Sequence, residues 1–236
     1  ATWSAPPELM SLVERVSGCL DAVDRDITGH PDFALSVLRL GTPPPRDRSG
    51  VFLGYAETGG DKLAEGTVVA DRDPLMSGLN WQGLLVRTAA GALATTNSDR
   101  VLLWQGGRPL IFVRESGRTR QLVFNFDTAH ANLERLPAFV LLTRRFVERI
   151  RADSLGMLLL AAWQRPWMPE FIAALPVAGV DGTARRRLGD SPARGQAHIK
   201  TGTLNGVRAM AGYLLDRNGQ RHAVVMMVNH PEAAAS

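Results

Sequence analysis

His198-Ile199-Lys200-Thr201-Gly202-Thr203-Leu204 is followed, after Asn205-Gly206, by the apolar run Val207 to Leu215. Past Asp216-Arg217-Asn218-Gly219-Gln220 comes a third run, Arg221 to Asn229. Ala197 to Leu204, Val207 to Leu215 and Arg221 to Asn229 therefore read as three consecutive strands. Asn218-Gly219 marks a tight hairpin turn, because both residues tolerate positive φ. The first strand is expected at an edge, and it carries a lysine, a hydroxyl and a bare glycine in succession.

Working back toward the N-terminus, Pro176 to Gly195 reads as a loop. Met168 to Leu175 reads as a short helix, and Ser154 to Trp163 as another, with Ser154 as its N-cap and Pro166 as its stop. Trp163 and Trp167 are expected in the core. A longer helix is expected over Leu133 to Arg151, since Phe139, Leu142, Phe146 and Ile150 recur at spacings of three and four with arginines between them. Val101 to Trp104, Leu110 to Arg114 and Gln121 to Phe126 are short apolar runs separated by Gly-containing turns, the pattern of a β meander. Further back, Leu63 to Ala70, Val51 to Tyr55 and Phe33 to Leu40 read as strands. Thr42 to Ser49, with Pro43-Pro44-Pro45, reads as a loop. Trp81 to Arg87 fits either strand or buried loop, and Glu8 to Val23 reads as a helix. The fold class is α/β in the mixed α+β sense: an N-terminal part with a meander and a closing helix, then an antiparallel sheet with helices.

Bulk properties narrow the function. The 236 residues are 45% hydrophobic and 21% charged, values of an ordinary globular chain. No run of 18 apolar residues occurs, so no membrane-spanning helix is expected. Ala1-Thr2-Trp3-Ser4-Ala5-Pro6-Pro7 lacks the basic and apolar regions of a signal peptide. The net charge of +4 comes from scattered arginines; only Lys62 and Lys200 are lysine. Interleaved acids and the lack of any nucleic-acid motif argue against a nucleic-acid partner. Cys19 stands alone in an apolar-periodic stretch, so it forms no intrachain disulfide and reads as a packed thiol. His198, His222 and His230 have no metal-ligand spacing, and no metal or cofactor is expected. Asp181 reads as a turn residue.

The wider run Pro176 to Thr183, Lys200 to Val207, Ala211-Gly212-Tyr213 and Val228 to Pro231 resembles the C-terminal part of the class C penicillin-binding proteins. These are serine D-alanyl-D-alanine carboxypeptidase/endopeptidases of peptidoglycan metabolism. The resemblance covers residues 152–236 and implies roles for the strand. Lys200 would supply a cationic field and take part in proton transfer, and Thr201 would donate to a peptide carboxylate. Gly202 would admit an added strand, and the Thr203 N–H would form half of an oxyanion hole. The implied partners are a peptidoglycan stem peptide or a β-lactam, and the implied location is the periplasm.

That family also requires Ser-x-x-Lys and Ser-x-Asn. Gly59 and Ala197 stand three residues before the two lysines, and no serine is followed by Asn at plus two; Ser77-Gly78-Leu79-Asn80 is one place too long. Covalent catalysis needs an activated nucleophile, so these residues on their own are expected to be inactive. Residues 1–151 resemble something else. Asp73-Pro74-Leu75 with Leu79-Asn80-Trp81, Val101 to Gly106 with Arg108 to Ile111, and Phe124-Asn125-Phe126-Asp127 with Asn132 and Leu136 to Phe139 are similar to the distal, amidotransferase-like region of aerotolerance-regulator (BatA-type) proteins. That resemblance implies an interaction or sensing role. The expected organisation is thus a fusion of residues 1–151 with residues 152–236. The sequence leaves the oligomeric state open.

Overall fold

The computed structural model describes residues 33–186, 188–204, 207–229 and Ala233. The helix expected over Glu8 to Val23, Cys19, Asn205-Gly206 and His230-Pro231 lie outside the described residues. Two compact units are present, with their boundary between Val147 and Glu148.

The first unit is built on a six-stranded sheet. Its strands are β1 (Phe33–Arg39), β2 (Ser49–Tyr55), β3 (Val68–Ala70), β4 (Asp99–Gln105), β5 (Arg108–Ser116) and β6 (Thr119–Phe124), in the order β1-β2-β6-β5-β4-β3. The expected meander is the antiparallel β4-β5-β6 portion. β1 pairs with β2, and β2 with β6, in parallel. Gly50 to Gly54 of β2 are all buried, as befits a parallel strand covered on both faces. Phe52, Val101, Phe112 and Val123 cluster with half-buried Leu38, Leu93 and Trp104. Phe124 instead meets Phe139 edge-on, with ring centroids 5.2 Å apart. Phe139 belongs to helix α1 (Pro137–Trp163), whose Ala138, Phe139, Leu142, Phe146 and Val147 are buried.

Buried polar side chains tie the loops to this sheet. The connection from β1 to β2 contains Pro43 to Pro45 and no helix. Gln121 Nε2 holds it, donating to the carbonyls of Pro45 (2.6 Å) and Arg48 (2.9 Å). Asn125 accepts from Leu93 N at 2.7 Å and donates to the carbonyls of Leu93 and Pro109, satisfying both ends of its amide. Arg114 makes a bidentate pair with Asp99, both contacts at 2.7 Å, and the Asp99 side chain has no solvent exposure. Burial opposes ionisation of Asp99, but hydrogen bonds from Arg114 and Thr96 outweigh it. The carboxyl lies below its ordinary range.

In the second unit, β7 (Ala197–Leu204), β8 (Val207–Leu215) and β9 (Arg221–Asn229) form an antiparallel sheet in chain order, with the bounds expected from sequence. Ala197 and Ile199 pack with Ala178 and Ala184 of the preceding loop. On the opposite face Tyr213 lies against Trp163 (5.0 Å) and against Phe171 (6.4 Å) of α2 (Met168–Ala173). The Tyr213 hydroxyl donates to Leu159 O at 2.7 Å, which satisfies its one polar group in a buried position. Arg221 covers the Trp163 ring at 4.3 Å. Gly212 is required by the sheet: its φ is +155°, and a Cβ there would lie 2.0 Å from His198 O.

Several expectations need correction. The two helices expected over 133–151 and 154–163 are one. Leu133–Arg135 is a separate 3-10 turn, and α1 runs unbroken from Pro137 to Trp163. Pro137 suits a first turn, and nothing from Arg151 to Leu155 breaks a helix, so Ser154 is an interior residue and not a cap. The strand expected over Leu63 to Ala70 is confined to β3, because Gly66 at φ +104° interrupts it. Leu63 forms only an isolated bridge to Arg87, within the segment read as strand or loop. Trp167 is exposed, not core; among aromatic rings of the described residues it meets Phe171, in a T-shaped contact at 5.8 Å.

Candidate functional site

The candidate site is the outer edge of β7, made by Lys200, Thr201, Gly202 and Thr203. An isolated bridge, Val177 to His198, covers the first half of that edge. Ile199 N donates to Pro176 O and Ala178 N donates to Ala197 O, both at 2.8 Å. Strand alternation turns the N–H and C=O of Thr201 and Thr203 to the same side as those of Ile199. No strand pairs with them there among the described residues. The edge is therefore closed up to Ile199 and open beyond it.

Side chains elaborate the open part. Lys200 is exposed, and its Nζ donates to Thr201 O at 2.6 Å. Thr201 is buried, with its hydroxyl donating to Thr183 Oγ1 at 3.0 Å. Arg208, opposite Thr203 on β8, donates through one terminal nitrogen to Thr203 Oγ1 (2.9 Å) and through Nε to Ala233 O (2.6 Å). Gly202 is exposed between the threonines. A Cβ there would meet only Ala209 Cβ, at an ordinary 3.7 Å, so the sheet itself does not demand glycine. Two cations thus flank a stretch of backbone that no strand covers among the described residues, with a bare residue at its centre. This arrangement suits an extended peptide with an anionic end.

All four residues predicted from sequence lie together on this edge. Thr183 and Arg208 are not singled out by sequence reasoning. Arg208 could be found from the hairpin register, which sets it opposite Thr203. Thr183 arrives from a 3-10 turn 18 residues upstream, and no local pattern announces it. Asp181 is a turn residue, its carboxylate accepting from Val177 N at 2.6 Å. His222 pairs with Asp216 in the hairpin at 2.9 Å. Among the described residues no group of His, Cys, Asp and Glu could hold a metal ion.

The comparisons bear on this same stretch. Residues 146–236 match the D-Ala-D-Ala carboxypeptidase 3 (S13) family. The C-terminal unit is related to the D-Ala-D-Ala carboxypeptidases. A D-alanyl-D-alanine carboxypeptidase of Actinomadura sp. (strain R39) is 38% identical over 76 residues, which are 30% of this chain and 14% of that protein. Penicillin-sensitive carboxypeptidase A of Dictyostelium discoideum is 41% identical over 46 residues, 20% of this chain and 9% of its own. Among solved structures, penicillin-binding protein 4 of Haemophilus influenzae aligns with a TM-score of 0.32 at 21% identity, covering 39% of this chain and 26% of that one. The chain thus spans 14% and 9% of the lengths of these two curated relatives. Among the described residues no helix is long and apolar enough to cross a membrane.

Proposed function

We propose that the β7 edge binds the D-alanyl-D-alanine end of peptidoglycan stem peptides, as an added strand, without cleaving it. The observation that carries this reading is the open edge at Thr201 and Thr203 around a glycine the sheet does not need. The peptide would pair with the outward N–H and C=O groups, Gly202 would allow close approach, and Lys200 and Arg208 would attract the terminal carboxylate. A β-lactam would occupy the same edge through its carboxylate. Turnover is not expected, because these 236 residues contain no Ser-x-x-Lys to supply an activated serine. The setting would be the periplasm, where such peptides are found. Residues 1–151 would be an aerotolerance-regulator-type segment joined near Ile150 to Asp153.

A second reading is a non-catalytic interaction or sensing module that merely retains the strand. What favours it is that Lys200 Nζ and the Thr201 hydroxyl already have partners within the unit.

Titration with a D-Ala-D-Ala peptide separates the two. The first reading expects saturable binding with Kd of about 1 mM, weakened about tenfold by Lys200→Ala. No saturation at about 10 mM would favour the second. Intact mass after exposure to a fluorescent penicillin is expected to show no adduct; a stable acyl adduct would overturn the claim that no nucleophile is present.

A further inference from the structure

The first unit holds a cleft of about 250 Å³ whose lining includes Leu63, Leu85, Arg87, His130, Glu134 and Arg135. It is set by the residues that follow β6. Asp127 is completely buried, and its Oδ2 lies 2.7 Å from His130 Nδ1. Its other oxygen accepts from Ala56 N, just beyond β2. The cleft therefore lies beyond the carboxyl ends of the parallel strands β2 and β6, the end at which open α/β sheets place their ligands.

The walls are held firmly. His130 lies against the bare backbone of Gly59, where a Cβ would come within 2.6 Å of the ring. With Nδ1 donating to Asp127, the neutral ring has Nε2 as an acceptor, which suits a donor on the ligand and not a carboxylate oxygen. Asn132 ties the facing segment down, accepting from Leu85 N (2.8 Å) and donating to Gly83 O (2.7 Å). Lys62 to Ala64 and Val86 to Thr88 are joined by backbone hydrogen bonds of 2.8 Å. Arg87 is anchored by one terminal nitrogen on Gly60 O at 3.2 Å, and a guanidinium has further N–H groups to offer. Leu63 and Leu85 are each more than half exposed at the rim. Arg87 and Arg135 line the cleft with one acid, Glu134, while the carboxylate of Asp127 lies buried against His130.

An apolar rim beside a cationic, preorganised wall selects a ligand with both characters. We propose that this cleft binds a small carboxylate carrying an apolar body, its head on Arg87 and Arg135 and its body on Leu63 and Leu85. Two sources share that chemistry, a free alkyl carboxylate and a peptide ending in a large apolar residue.

The test uses the full chain, isotope-labelled, with two matched pairs of probes: octanoate against octanamide, and N-acetyl-leucine against N-acetyl-leucinamide. At least one acid is expected to saturate with Kd of about 1 mM, shifting signals of Leu63, Leu85 and His130. The better acid identifies the source. Each neutral amide is expected to bind about tenfold more weakly than its acid, as is that acid to the Arg87→Gln/Arg135→Gln variant, whose changes are at exposed positions. Acid and amide binding equally, undiminished binding by the double variant, or no saturation by either acid at about 10 mM would overturn the proposal.

Discussion

Gly202 and Gly212 show how differently two strand glycines are constrained. At Gly212 a methyl group would strike the His198 carbonyl, so Gly212→Ala should cost about 3 kcal/mol or more and disturb the β7–β8 ladder. Gly202→Ala should change stability by less than about 1 kcal/mol in urea unfolding, while impairing peptide binding. Equal stability losses at the two sites would mean that Gly202 is kept by the fold. Asp99 offers a second test at this scale. Arg114→Met leaves a buried carboxylate unpaired and should cost about 3 kcal/mol at neutral pH. In the unaltered chain the Asp99 pair contributes fully above about pH 4, and the contribution is lost as pH falls through its lowered folded pKa. The variant should therefore lose less stability on acidification than the parent does, read from urea midpoints across pH.

The elements follow local chemistry wherever local chemistry was decisive. Alternation and the Asn218-Gly219 turn made the β7-β8-β9 sheet legible residue by residue. Asp216 adds what the pattern omits: its carboxylate accepts from Asn218 N and Gln220 N at 2.8 Å and pairs with His222. First the His222 hydrogen bond and then that of Gln220 N hold its pKa below the ordinary value. The hairpin should lose this support as pH falls through that lowered pKa, and Asp216→Asn should remove the dependence, seen in amide exchange of β8 and β9. Ser154 gives a false signal, because a serine before an apolar run resembles a cap wherever it stands. In α1 it is interior and exposed. Ser154→Ala should thus raise stability by a few tenths of a kcal/mol, where loss of a true cap would lower it by about 1 kcal/mol. Thermal unfolding by circular dichroism distinguishes these.

Across the whole chain, the limits of sequence reading follow separation along it. The meander and the final sheet join neighbours, so short windows contain their pairing. The parallel ladders do not: Arg120 at the start of β6 bonds to Ser49 at the start of β2, 71 residues earlier. No window reveals that β6 inserts between β2 and β5, nor that His130 ends up in one cleft with Leu63 and Leu85. The β7 edge was legible because four adjacent residues carry it, whereas Thr183 had to be brought to it by the fold.

The insertion of β6 beside β2 also fixes a schedule. During synthesis β1 and β2 emerge with Val51, Phe52 and Leu53, all destined for burial, long before β6 exists to cover them. At translation rates of about 5–20 residues per second the wait is roughly 4 to 14 seconds. The final sheet needs no such delay, since each of its strands meets its partner almost as soon as it is made. Nascent chains stalled before residue 119 should therefore be the species that chaperones hold.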